Sequence, residues 1–439
     1  MTSLDTFVLG GGLVAASVGM WWLRSLGAGT RPAHPGDAAD TAPPELRTAV
    51  LVIADPRQRA HMFIALGLGS IDSGFPPVED WVYTDHGLQI DLLMMAGQTR
   101  KDWSAPDVLD AFAQVLAVPD VSVSFPDPGV VRLQVRVFDT LAAPATMPVT
   151  VHNGVNLEAV PVGITEHHDL WRLRVLYGHI LLAGATGSGK GSVLWSLIAS
   201  LGPAIRDGLV DVYLGDPKGG AEFGKGENRL FVEFATDTAT ILTMLGKGVQ
   251  VMQERLAHMR ATGSRKHVPT TEHPLILIVI DEAAALSSYA TRDEQLEFRR
   301  LTGLLLSQGR AAAVSVVAAL QDPSKETMPN RQLFPIRIGL RLDEPTQTAM
   351  VHGHGARDRG ARCEEISEHT PGVGYVGEDG TTEFVRVRAF YVSDTDIDRI
   401  VDTFSPARDI DLAPQGDYSG FDPDDLGEDD SDGAGPVAA

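Results

Sequence analysis

The stretch Leu181-Leu-Ala-Gly-Ala-Thr-Gly-Ser-Gly-Lys-Gly-Ser192 constrains this chain more than any other. Tyr177-Gly-His-Ile-Leu-Leu182 runs into it and reads as a short buried strand, and Val193-Leu-Trp-Ser-Leu-Ile-Ala-Ser200 follows as the first turns of a helix. Between them Gly184, Ala185, Thr186, Gly187, Ser188 and Gly189 form a loop whose glycines let successive backbone N–H groups point inward. Such a loop wraps a nucleotide's phosphates, Lys190 reaches the β- and γ-phosphates, and the helix N-terminus adds partial positive charge behind them. A flexible Gly/Ser turn with a stray lysine is the bland alternative; the order strand, loop, lysine, helix weighs against it. ATP with Mg2+ is the expected ligand. The usual pattern puts Ser or Thr directly after the lysine, where its hydroxyl ligates the metal. Here Gly191 holds that place and the hydroxyl comes one residue later, at Ser192. Either Ser192 takes the metal role, or water and a carboxylate elsewhere hold the ion.

Leu275-Ile-Leu-Ile-Val-Ile-Asp-Glu282 supplies the complementary chemistry. Its six apolar residues suit a strand buried on both faces, and it ends in adjacent carboxylates. Downstream of a phosphate loop, an Asp at such a strand end orients Mg2+, and the next carboxylate polarises the attacking water. Asp281 is therefore the expected metal ligand and Glu282 the general base. Both also suit a helix start, so an acidic cap is the alternative. Val314-Ser-Val-Val-Ala-Ala-Leu-Gln321 reads as a further buried strand. Gln321 at its tip would sense the γ-phosphate or hold the water, unless it is an ordinary strand-end residue. From Tyr177 onward strands (Leu209–Leu214 among them) alternate with helices expected over Asp237–Arg260 and Glu294–Ala312, the pattern of a parallel α/β sheet. Pro335–Arg341 and Thr382–Phe390 are expected to close it.

The rest of the chain divides by composition. Residues 1–26 hold an uncharged apolar run, Phe7–Leu23, about 25 Å long as a helix and thus near the lower limit for a membrane span. Trp21 and Trp22 at its end and Arg24 and Arg31 beyond it favour a single anchor with the bulk of the chain in the cytoplasm. Residues 27–44, rich in Ala, Pro and Gly, read as a linker. Residues 45–150 read as a small α/β domain: strands at Thr48–Ile53 and Gly87–Leu93, a helix opening at Ser104-Ala-Pro-Asp107, and two alternating strands ending near Phe125 and Val137. Residues 151–405 form the nucleotide-binding unit, approached through a connector that includes His167-His168, read as a surface turn rather than a metal site. Residues 406–439 read as an acidic disordered tail. The net charge of −22 would argue against nucleic acid, but ten acidic residues and no basic one fall in Asp409–Asp432, leaving the remainder about half as negative. A single cysteine, Cys363, excludes an internal disulfide framework.

Taken together, Gly184–Lys190, Asp216-Pro-Lys218, Ile280-Asp-Glu282, Gly309-Arg-Ala-Ala312, Ala318-Ala-Leu-Gln321 and Thr370-Pro-Gly-Val-Gly-Tyr375 resemble the FtsK/SpoIIIE family of DNA-translocating ATPases over roughly Thr165–Asp396. The Gly-Lys-Gly-Ser version looks most like actinobacterial members, including TraB-type plasmid transfer proteins. The resemblance implies a RecA-like P-loop NTPase motor, assembled as a homo-hexamer that pulls double-stranded DNA through its centre. It also implies an arginine supplied in trans, with Arg310 the first candidate and Arg337 the second, on the expectation that both flank strands near the nucleotide edge. No stretch after Ser405 reads as a winged-helix reader, so DNA contact is expected at the backbone, with Ser264-Arg-Lys-His267 as one candidate loop. A secretion-type ATPase acting on protein and a weakly hydrolysing membrane scaffold are the competing readings.

Overall fold

The computed structural model describes residues 35–148, 154–381 and 384–406. The expected anchor, Phe7–Leu23, and the acidic tail lie outside the described residues. Among the described residues no helix is long and apolar enough to cross a membrane.

The small domain opens with α1 (Pro35–Thr41), α2 (Arg47–Ala54) and α3 (Pro56–Ala65), followed by β1 (Val78–Thr84) and β2 (Gly87–Leu93). Then come α4 (Arg100–Ser104), α5 (Pro106–Leu116), β3 (Asp120–Ser124) and β4 (Val130–Arg136). The strands pair antiparallel in the order β1-β2-β4-β3. Leu88, Ile90, Leu92, Val131, Leu133 and Val135 are buried, sharing one core with Phe63, Trp103 and Phe112 from the helices.

Two expectations fail here. Thr48–Ile53 is helical, not a strand: Ala49, Val50, Val52 and Ile53 are buried while Arg47 and Thr48 are exposed, a helical spacing. An unbroken apolar run carries no readable period, and burial against the sheet outweighs the β-propensity of valine and isoleucine. The helix expected to open at Ser104-Ala-Pro-Asp107 is α5, which starts at Pro106; Ser104 itself ends α4, whose capping box pairs Thr99 with Asp102. The linker expected over 27–44 contains α1, whose Ala38 and Ala39 join Ala42 in the domain core.

The larger unit is built on one sheet. After β5 (Ala145–Thr146), β6 (Val160–Thr165), β7 (Leu170–Leu173) and β8 (Ile180–Ala183) come α6 (Lys190–Arg206), β9 (Val210–Gly215), β10 (Glu233–Ala235) and α7 (Thr238–Thr262). These are followed by β11 (Leu275–Ile280), α8 (Ala284–Ser287), α9 (Arg292–Gln308), β12 (Val314–Leu320), β13 (Ile336–Leu340) and α10 (Pro345–His352). β14 (Val373–Glu378), β15 (Val385–Tyr391) and α11 (Asp394–Phe404) complete it.

The order is β10-β9-β11-β12-β8-β13-β14-β15-β6-β7, with β5 beside β15. From β10 to β13 the strands are parallel; from β13 to β7 each neighbour is antiparallel. The sheet is thus mixed, correcting the parallel expectation. The segment read as a connector supplies three of its strands, too short and too broken by Pro and Gly to show a period. α6 and α11 pack on one face and α7 and α9 on the other.

Arg136, at the end of β4, ties the two units. Its side chain is 5% exposed; it pairs with Asp120, donates to Glu166 Oε2 at 3.1 Å and to Ser122 Oγ at 2.8 Å, and meets His167 Nδ1 at 3.2 Å. His167-His168 is therefore a turn against this arginine, with His168 at φ 63° and stacked on His86, and no metal-ligating cluster occurs among the described residues. Removing one member of a buried ion network strands its partners' charges. Arg136→Ala is expected to lower stability by about 3 kcal/mol in urea denaturation, and an unchanged midpoint would show the network to be dispensable.

Candidate functional site

Parallel strands in an open α/β sheet present their carboxyl ends to one crevice, and each of the central strands here ends on a residue with chemistry. β8 lies between β12 and β13, with Ala183 level with Leu320 on one side and Gly339 on the other. Gly184 N donates to Leu320 O at 3.1 Å and Ala185 N to Arg341 O at 2.8 Å, so the glycine loop starts wedged between its neighbours' tips.

The loop then closes on itself. Lys190, first residue of α6, is 8% exposed and donates to Gly184 O at 2.6 Å and Ala185 O at 3.2 Å. Burial lowers its pKa, against the pull of Glu282 and Asp281. Gly189 has φ +96°, and a Cβ there would stand 2.3 Å from Gly372 N. That amide donates to Ser188 O at 2.8 Å, so the Thr370–Tyr375 segment buttresses the loop from the antiparallel half of the sheet.

The carboxylates converge from β11. Asp281, 2% exposed, accepts from Lys218 Nζ at 2.7 Å. Burial opposes the charge on Lys218, but the bond to Asp281 raises its pKa overall. Glu282, 8% exposed, accepts at Oε1 from Ala284 N and Gln321 N, both at 3.4 Å. Its Oε2 is buried with no hydrogen-bond partner among the described residues. Burial raises the Glu282 pKa, and the charges of Lys190 and Lys218 offset this only in part. Gln321 Oε1 accepts from Thr186 Oγ1 at 3.1 Å, joining the tip of β12 to the loop.

The structure therefore brings Lys190, Asp281, Glu282, Gln321 and the loop 184–189 into one site. Ser192 sits two residues into α6 beyond Lys190. It leaves out both candidate arginines. Arg310 lies in the turn before β12, roughly 20 Å along that strand from Gln321. It neighbours His179, whose pKa is pushed down to about 3 by burial first and by the Arg310 charge second. Arg337 is level with Leu181 near the start of β13, donates to Phe334 O at 3.0 Å, and lines an open cleft with Arg299, Lys325 and Arg331. The expectation of a nucleotide-edge position fails for both because they stand at strand beginnings, while the crevice is at strand ends. Ser264–His267 is on the same far side, with Lys266 4.2 Å from the centre of the Tyr177 ring and His267 N bonded to Ala311 O.

Sequence reasoning missed Arg341, which follows β13 as Gln321 follows β12. It donates to Thr186 O at 2.8 Å and to Asp343 at 3.2 Å. The first polar residue past each parallel strand was the signal that would have found it. It also missed Glu222, an exposed residue whose carboxylate lies beside Gly191.

Residues 145–271 match the sequence model of the FtsK/SpoIIIE family. Over those residues the chain is similar to that family. DNA translocase FtsK of Bacillus cereus is 24% identical over 348 residues, covering 73% of this chain and 40% of that protein. DNA translocase SpoIIIE of Bacillus subtilis strain 168 is 23% identical over 347 residues, covering 73% of this chain and 41% of its own. The chain thus spans about 40% of the length of these curated relatives. Among solved structures, the pCW3 conjugation coupling protein TcpA, in a monomer form with ATPγS, superposes with a TM-score of 0.51 at 20% identity, covering 78% of this chain and 97% of that one. That likeness establishes a shared fold. The family match ends before Asp281, Glu282 and Gln321, so their assignment rests on the geometry of the crevice.

Two outcomes follow. A carboxyl group whose folded pKa is raised destabilises the fold when ionised, and the penalty disappears as pH falls below the ordinary carboxylate range. Glu282→Gln is therefore expected to raise the melting temperature of the nucleotide-free protein by about 2–4 °C at pH 7.5, with the gain vanishing near pH ~4; a lower Tm at pH 7.5 would contradict it. Arg341→Ala frees the loop at Thr186 and is expected to weaken nucleotide binding about tenfold by fluorescence titration, the loss of one charge-assisted hydrogen bond.

Proposed function

We propose that this chain is an ATPase that drives translocation of double-stranded DNA, with hydrolysis at the crevice around Lys190. The observation that carries the reading is the meeting of three strand ends: a phosphate loop with its lysine, the Asp281-Glu282 pair, and Gln321 bonded to the loop. The matched relatives are DNA translocases, which supports DNA as the substrate. The name of the TcpA structure, a conjugation coupling protein, supports transfer of plasmid DNA as the setting.

The residues present suit an ATP–Mg2+ complex. The Lys190 ammonium is bonded to the loop's own carbonyls, which it would release to bind phosphate. Lys218 holds a positive charge against Asp281 where a divalent cation would serve, and Glu282 Oε2 has an unused lone pair. Mg2+ would neutralise the developing charge on the phosphates. Within this chain, Lys190 binds the phosphates and Asp281 orients the metal side. Glu282, kept basic enough to accept a proton by its buried setting, polarises the attacking water. Gln321 registers whether the loop is filled through Thr186.

Membrane attachment through Phe7–Leu23, a cytoplasmic ATPase unit and a homo-hexameric ring with Arg310 or Arg337 reaching a neighbour's nucleotide belong to the same proposal. An arginine at the far edge of one copy is suited to act on another copy rather than on its own site. Gly191, lacking the usual hydroxyl, favours a second reading, a membrane scaffold that binds nucleotide and hydrolyses little.

The test is ATP turnover by the full chain with and without linear double-stranded DNA. DNA is expected to raise turnover, Lys190→Ala to abolish it, and Glu282→Gln to reduce it by roughly 10²–10⁴-fold. Turnover indifferent to DNA would redirect the reading to a protein substrate, and binding without turnover would favour the scaffold.

A further inference from the structure

We propose that Glu222 takes over the metal-side role of the hydroxyl missing at Gly191, placing a carboxylate where the phosphate loop ordinarily places Ser or Thr. The inference rests on the nucleotide-binding reading above and names a ligand that neither Ser192 nor the strand-end carboxylates supply.

The argument begins with space. Gly191 is the second residue of α6, and a Cβ built on it would stand 2.2 Å from Glu222 Oε1 and 3.1 Å from its Cδ. The carboxylate therefore fills the place that a serine or threonine side chain would occupy. Ser192, one residue on, is turned by about 100° around the helix and faces a different direction.

Glu222 is held there by construction. Asp216, fully buried, accepts from Lys218 N at 3.0 Å, from Glu222 N at 3.1 Å and from Phe223 N at 3.3 Å, which folds the 216–223 turn around its carboxylate. Phe223 is fully buried and stacks on Trp195 of α6 with ring centres 5.2 Å apart. The turn is thus clamped to the helix that carries Gly191, and Glu222 is pressed against its first turn.

The surroundings call for a cation. The charge of Asp281 reaches Glu222 and, after burial, is the main cause that raises its pKa. The adjoining Glu282 is more than nine-tenths buried with an unpartnered Oε2, and Lys218 meets Asp281 as a positive stand-in. Mg2+ bound with a nucleotide takes one or two carboxylates, phosphate oxygens and water. A cage of three protein ligands is not required, and none occurs among the described residues.

The experiment uses the full chain, a non-hydrolysable ATP analogue, and Mn2+ as the probe, read by electron paramagnetic resonance. Nucleotide binding without metal is measured beside it. Glu222→Ala and Glu222→Gln are each expected to weaken Mn2+ binding in the nucleotide complex by about tenfold or more while metal-free nucleotide binding stays intact. Gly191→Ser in the Glu222→Ala background, where the serine has room, is expected to recover Mn2+ affinity, which also shows that the variants fold. Mn2+ affinity unchanged in both Glu222 variants overturns the proposal. A wild-type chain that binds no nucleotide overturns the functional reading itself, a result distinguishable from loss of metal alone.

Discussion

The packing of β8 between β12 and β13 is the constraint on which the site depends. Because Ala183 is level with Leu320 and with Gly339, the residues that follow each strand emerge at the same height. Two backbone bonds, from Gly184 to Leu320 and from Ala185 to Arg341, then fix where the glycine loop begins. A one-residue slip on either side would turn Gln321 or Arg341 away from the loop, since side chains alternate along a strand. The site's geometry is thus a consequence of sheet register more than of any side-chain contact within it.

Charges in the crevice are paired, though not evenly. Lys190 and Lys218 face Asp281 and Glu282, and each lysine is bonded to something it would have to release: loop carbonyls for the first, Asp281 for the second. The buried oxygen of Glu282 remains uncompensated. A polar group left unpaired in a low-dielectric interior costs stability. Such a cost is tolerated where function needs a reactive group, which agrees with the role given to Glu282.

Much of this was legible in the chain. Leu275–Ile280 and Val314–Leu320 are unbroken apolar runs because both their faces are covered, and their ends could be read directly. The loop 184–190 carried its own context. The same absence of period that marks a buried strand concealed Thr48–Ile53, where a fully apolar face of helix looks no different. The antiparallel extension was obscured because β5, β6 and β7 are short and interrupted. Arg310 and Arg337 were misplaced because flanking a strand says nothing about which end is flanked. Glu222 was invisible for another reason: nothing in the spacing between 191 and 222 reveals that a turn around Asp216 folds back onto the helix.

β15 has a double attachment. Ala389 N bonds to Gly372 O, and Gly372 N bonds to Ser188 of the nucleotide loop. Three residues earlier on the same strand, Arg386 grips Asp139 through two bonds of 2.7 and 2.8 Å, and Arg386 O accepts from Glu166 N, whose side chain holds Arg136. The loop and the small domain are therefore anchored to one beam at points roughly 10 Å apart. With both attachments on one strand, a substitution that displaces β15 acts on the loop's support and on the small domain's contacts together.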